Sequence, residues 1–188
     1  MKTRFILLCM ALGMIMLTAG CKRGKAGKAL TVGTNLENGT EIVDTTIYGK
    51  CGENTAMHTL ELIGDDGKVY NFIINMDDSV ECVFGGLLAG DRLAIIADVE
   101  YGDTIATKVI NLTTLLGEWV SLDKNFDIQE GGVVSSHLEA ETNPWNSWKI
   151  CNGQLILNKD TFEILELGAD SLYIESKDGV FTYKRKKK

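Results

Sequence analysis

From Glu41 to the C-terminal lysines, apolar and polar residues alternate with a period of two, and turn residues interrupt the alternation every 8 to 12 positions or so. Successive side chains of an extended strand point to opposite faces, so this pattern specifies half-buried strands. Short strands at that spacing bury their apolar faces by curling into barrels or sandwiches. No stretch of the chain carries the 3.6-residue apolar repeat of a long helix, and there is a single proline among 188 residues. The expected fold class is all-β, built as two small antiparallel barrels.

The first half supplies five candidate strands: Ile42 to Cys51, Met57 to Ile63, Lys68 to Asn75, Arg92 to Val99 and Thr104 to Leu112. Asp65-Asp66-Gly67 joins the second to the third, because Asp and Gly accept the positive φ of a tight hairpin. A Gly-rich segment, Gly85 to Asp91, leads into the fourth. Five strands with that approach resemble an OB-like barrel, which would occupy residues 41–112.

The N-terminus reads as an address. Lys2 and Arg4 precede an apolar run from Phe5 to Leu17, which is shorter than the roughly 20 residues a membrane-spanning helix requires. Leu17-Thr18-Ala19-Gly20-Cys21 resembles the bacterial lipobox, with Thr18 where an aliphatic residue is usual. The resemblance implies a signal peptide over residues 1–20 and a lipid on Cys21 that anchors the protein to a membrane. Residues 21–40 are Gly-rich, polar and basic, and read as a flexible tether. Basic residues beside a lipid anchor favour an anionic membrane surface by about 1 kcal/mol each. Lys22, Arg23 and Lys25 follow Cys21 directly, whereas surface-exported Bacteroides lipoproteins carry acidic residues there. The expected location is the bacterial cell envelope, at the outer membrane and facing the periplasm.

The whole chain has 19 basic and 26 acidic residues, a net charge of −7. That average hides a segregation: residues 41–183 hold 8 basic and 25 acidic residues, a net of −17, while Lys184 to Lys188 are all basic. A body of that sign lacks the cationic footprint by which proteins neutralise phosphates, so no nucleic-acid partner is expected.

In the second half, Leu116-Gly117-Glu118-Trp119 resembles the Gly-x-Trp opening of the lipocalin family, and Phe181-Thr182-Tyr183-Lys184-Arg185 resembles its close. In lipocalins a basic residue of the last strand lies across that tryptophan and shuts one end of the barrel, which assigns the pair to Trp119 and Arg185. Hairpin signals at Asn152-Gly153 and Asp178-Gly179 lie between them. The span from Thr113 to Arg185 is about half a full lipocalin and is more similar to the short lipocalin-like domains of lipoproteins of Bacteroides and related bacteria. The resemblance implies a compact lipocalin-like barrel over residues 113–185, followed by a basic tail over 186–188.

Asn143-Pro144-Trp145-Asn146-Ser147-Trp148 holds two of the three tryptophans and the only proline. Trp148 alternates with Lys149 and Ile150 and is expected in the core. Trp145 falls outside that alternation, which leaves two readings open: a ligand contact at the barrel mouth, or a contact with the first module.

Cys51, Cys82 and Cys151 remain once Cys9 leaves with the signal and Cys21 is acylated, an odd number for an exported protein. Cys51 and Cys82 share the first module; they either pair as a disulfide or sit as buried thiols. Four triplets, beginning at Asp44, Asp78, Asp103 and Asp170, resemble the O-glycosylation signal of exported Bacteroides proteins, with acceptors Thr45, Ser79, Thr104 and Ser171. About one such triplet is expected by chance, although turns also favour Asp followed by Ser or Thr.

His58 and His137 have no Cys, His or Glu at ligand spacing beside them, and the chain contains no paired-cysteine motif, nucleophile elbow or phosphate loop. No metal, cofactor or enzymatic activity is expected. Two functions remain open: a lipoprotein whose lipocalin-like domain binds a small hydrophobic or amphipathic ligand, or a non-enzymatic interaction or sensor protein with filled barrels and an envelope protein partner.

Overall fold

The computed structural model describes residues 43–74, 81–137 and 143–187. The export segment, Cys21, the tether and Ser79 lie outside the described residues. Two β-barrels follow one another along the chain, the first OB-like and the second a compact eight-stranded barrel.

The first barrel comprises β1 (Ile47–Cys51), β2 (Thr59–Gly64), β3 (Val69–Ile74), β4 (Val83–Phe84), β5 (Arg92–Glu100) and β6 (Asp103–Asn111). Its ring runs β3-β2-β1-β5-β6 and closes where β3 meets β6 in parallel, at Ile73 opposite Ile105. The period-two pattern does its expected work. Leu60 and Leu62 of β2 and Phe72 and Ile74 of β3 point inward onto Leu93, Ile95 and Val109, while Ile63, Val69 and Ile73 face out. The β2–β3 turn falls at Asp65–Gly67, with Gly67 at φ +78°. The short β4, also parallel to β6, was not legible from its two residues.

The first strand begins at Ile47, later than the expected Ile42. Asp44 accepts hydrogen bonds from the Thr46 amide (2.9 Å) and hydroxyl, a local turn that competes with the ladder. The Asn152 side-chain oxygen of the second barrel takes the Thr45 amide instead, at 2.9 Å.

One helical turn, α1 (Leu112–Leu115), links the barrels and is capped by Asn111, whose side chain accepts the Thr114 amide at 3.0 Å. The second barrel contains β7 (Gly117–Val120), β8 (Asn125–Gln129), β9 (Val133–Ser136), β10 (Trp148–Cys151), β11 (Gln154–Leu157), β12 (Asp160–Leu167), β13 (Ser171–Ser176) and β14 (Gly179–Arg185). They pair antiparallel in the order β10-β11-β12-β13-β14-β7-β8-β9. The two ends of that sheet meet through a bridge between Val133 and Ser147.

The barrels are fused rather than strung together. Phe84, Ala94, Ile110 and Leu112 belong to the same apolar cluster as the interior of the second barrel. Around that seam the Tyr48 hydroxyl donates to the Ile150 carbonyl (2.7 Å), Lys108 pairs with Glu163, and the Thr114 hydroxyl donates to the Gly85 carbonyl (2.8 Å). Asn111, fully buried, satisfies its amide on the Gly86 carbonyl and the Asp91 carboxylate, at 3.0 and 2.6 Å.

Cys51 and Cys82 are buried thiols and do not form the disulfide entertained from sequence. Cys51 ends β1 and Cys82 directly precedes β4, and both β5 and β6 stand between those strands in the sheet. The Cys51 sulfur lies 3.4 Å from the Thr55 hydroxyl. Burial pushes the Cys82 thiol above its ordinary pKa, which keeps it protonated and unreactive.

Candidate functional site

The structure brings Trp119 and Arg185 together at one end of the second barrel. They stand directly opposite in the β14–β7 ladder, and the guanidinium carbon lies 4.2 Å from the centre of the indole ring. The fork of Arg185 donates to three carbonyls, those of Leu116 (2.7 Å), Thr114 and Ala169. Trp119 is wholly buried, and its ring N–H donates to the Leu115 carbonyl at 2.9 Å. The indole N–H and three of the five guanidinium N–H groups are thus committed within the protein, and the pair closes this end of the barrel. Gly117 makes it possible: its φ is +124°, and a Cβ there would lie 2.5 Å from an Arg185 terminal nitrogen.

A continuous edge-to-face series of rings fills the interior beyond Trp119. Tyr183 meets Phe126 with centroids 5.0 Å apart, Phe126 meets Trp145 at 5.1 Å, Trp145 meets Phe162 at 5.5 Å, and Phe162 meets Phe181 at 6.2 Å. Leu155, Leu157, Leu172 and Ile174, all fully buried, complete the packing.

Trp145 is not an open contact at the mouth: it is 8% exposed, its ring partners are Phe126 and Phe162, and it belongs to the apolar cluster that the two barrels share. The reason lies in the loop before β10. Asn158, in the β11–β12 turn, accepts the Asn146 and Ser147 amides at 2.9 and 3.1 Å and donates to the Pro144 carbonyl at 3.1 Å. That brace folds the loop inward and drives the indole between Phe126 and Phe162. Lys124 covers its outer face, 3.9 Å from the ring centre. Trp148, expected in the core, is half-buried and packs against the core cluster from the barrel's edge, where its ring N–H donates to the Gln129 carbonyl at 2.7 Å.

The remaining candidates do not converge. His58 is exposed, and His137 lies 4.0 Å from Glu118. Among the described residues no three His, Cys, Asp or Glu side chains are grouped to hold a metal ion. Of the glycosylation candidates, the Thr45 hydroxyl is hydrogen-bonded to Asn152 (3.0 Å) and the Ser171 hydroxyl to Glu166 (2.6 Å), while Thr104 is half-buried beside the β5–β6 turn.

What the sequence reading missed is a surface trough of about 900 Å³ beside β14. It exists because β7 is four residues long and β14 seven. The β7 strand ends at Val120 and turns back through Ser121–Lys124, where the Ser121 amide donates to the Lys124 carbonyl at 2.8 Å. β14 therefore pairs with β7 only at Lys184 and Arg185, and among the described residues no strand stands beside Gly179–Tyr183 on that side. Phe181 registers the gap directly: it points toward the interior, opposite Ile174, yet is 37% exposed. Val180, Phe181 and Tyr173 give the trough an apolar floor, with Leu122 fully exposed on its rim. Lys124, Lys184, Arg185 and Lys187 line it against only Asp123 and Asp170. A strand-length comparison, from Gly117 to the turn at Ser121 and from Gly179 to Arg185, is the signal that would have found it.

Comparison with protein-family models, curated proteins and solved structures found no match.

Proposed function

We propose that this protein is a non-enzymatic cell-envelope lipoprotein, anchored through Cys21, that works through the outer surfaces of two filled barrels by engaging a protein partner. The observation that carries the reading is the occupied interior of the second barrel. Trp119 and Arg185 close one end, Trp145 plugs the space beyond the β7–β8 turn, and the rings between them leave the lining groups in contact with one another. A ligand-carrying barrel of this kind keeps such an interior for its cargo, so the small-ligand alternative loses its obvious site.

The anchored, periplasm-facing location is supported by the order of the N-terminal residues and by the basic stretch after Cys21. Acyl labelling tests the anchor: the wild type incorporates a palmitate analogue, Cys21→Ala does not, and an unlabelled wild type refutes it. For the interaction itself, the full chain carrying a photoreactive side chain at Thr182 is irradiated in native membranes. A discrete crosslinked protein, absent when the photoreactive group is placed away from the trough at the exposed Gln154 of β11, is the expected outcome. Lipid adducts alone, or identical patterns at both positions, would count against it.

A further inference from the structure

We infer that the unpaired edge of β14 is a strand-addition site, and that its occupant is an extended, acid-bearing polypeptide segment. The inference rests on the interaction reading above and names where and what the protein binds.

Ladder polarity makes the edge specific. In an antiparallel sheet, the backbone groups of alternate residues face alternate neighbours. The Arg185 amide donates to the Asp170 carbonyl, at the approach to β13, at 3.0 Å, and the Lys186 amide donates to the Glu118 carbonyl of β7 at 2.9 Å. Odd-numbered residues of β14 therefore bond β13, and even-numbered ones face the β7 side. β7 reaches only as far as Lys184, through Val120. Val180 and Thr182 consequently direct their N–H and C=O groups into the trough, with no backbone partner among the described residues. Edges of this kind are ordinarily shielded by a proline, a bulge or an inward charge; Gly179–Tyr183 has none of these, and its residues pair with β13 without a register break.

A polypeptide backbone is the ligand chemistry that satisfies two such donor–acceptor pairs at strand spacing, and this recognition mode uses pockets for alternate side chains. Tyr173 and Val180 on the outer side and Phe181 on the inner side provide apolar contacts for both faces of an added strand. Charge selects the sequence. On a body of net −17, the trough gathers four basic side chains against two acidic ones, with Lys184 and Lys187 both exposed. An acidic segment is attracted here and repelled from the rest of the surface.

The test pans the full chain in detergent against a display library of twelve-residue peptides that alternate Val, Ile or Thr with randomised Asp, Glu, Lys or Ser. Enrichment of acid-rich alternating peptides is expected. Their binding should persist in Thr182→Ser and fall about tenfold or more in Thr182→Pro, which removes an edge-facing N–H while leaving the β13 ladder intact. Val180→Pro serves as the second variant if Thr182→Pro does not fold. The charge reversals Lys184→Glu and Lys187→Glu should invert the preference from acidic to basic peptides. Failure to enrich, or equal binding by the folded proline variants, overturns the site. Binding of phosphatidylglycerol vesicles through the same lysines, indifferent to the proline changes, would assign the patch to a membrane and also overturn it. If the library fails while a photocrosslinked protein partner persists elsewhere on the barrels, the interaction reading survives and the edge does not.

Discussion

A terminal nitrogen of Arg185 lies 2.5 Å from the position a Cβ on residue 117 would take, so the first and last strands of the second barrel close only over a glycine. Gly117→Ala meets two obstacles, the clash and a φ of +124° that L residues rarely adopt. We expect a loss of about 2–4 kcal/mol in denaturant unfolding, with unchanged secondary structure at low denaturant. A loss under about 0.5 kcal/mol would mean the guanidinium is held elsewhere.

Arg185→Lys keeps the charge and discards the fork. Three carbonyls are presently served by one guanidinium, and an ammonium on a flexible stem serves fewer and does not stack flat on Trp119. Destabilisation of about 1–3 kcal/mol is expected, together with a shift in Trp119 emission. A stability equal to wild type would show that charge alone closes the barrel.

Trp145→Ala separates core from mouth. A side chain packed between Phe126 and Phe162 costs about 3–5 kcal/mol when truncated, whereas a ligand contact standing open to solvent costs little. Near-ultraviolet circular dichroism should weaken as well, because the ring series is broken at its centre.

The seam between the barrels responds to alkali. Burial, reinforced by the nearby Asp44 charge, raises the Tyr48 pKa to about 12 from an ordinary value of 10. For an acid whose folded pKa is raised, the contribution to stability is complete below the unfolded value and disappears as pH climbs through the folded one. Stability should thus fall by roughly 1 kcal/mol between about pH 10 and pH 12, because solvent screens this half-buried phenol in part. In Tyr48→Phe that component of the decline vanishes, while at neutral pH the variant loses about 1 kcal/mol because the Ile150 carbonyl forfeits its donor. Ultraviolet titration of the phenolates against unfolding midpoints checks both.

What was legible in the sequence followed from local periodicity. Leu60-Glu61-Leu62 and Phe72-Ile73-Ile74 announce their faces because alternation is enforced by the ladder itself. The pairing of Trp119 with Arg185 came from a family resemblance at the two ends of the segment, not from any local rule. The tryptophans divide along the same line. Trp148 lies within a strand and packs half-buried against the core, as its alternation implies, whereas Trp145 lies outside any strand, so its burial depends on a brace from Asn158, in a turn 13 residues later. Cys51 and Cys82 could not be placed until the order of β5 and β6 was known. The trough was invisible because it is the absence of a wall, set by the length of one strand relative to another.

The central claim is that the second barrel is filled and acts from outside. Titration of the delipidated full chain with a fluorescent long-chain fatty acid tests it most directly, read by probe emission and by quenching of tryptophan. The account predicts no saturable uptake, and Trp119, wholly buried against Leu115 and Arg185, should keep its emission throughout. Stoichiometric, saturable uptake with quenching of Trp119 would contradict it, since a ligand reaching that ring must displace the core.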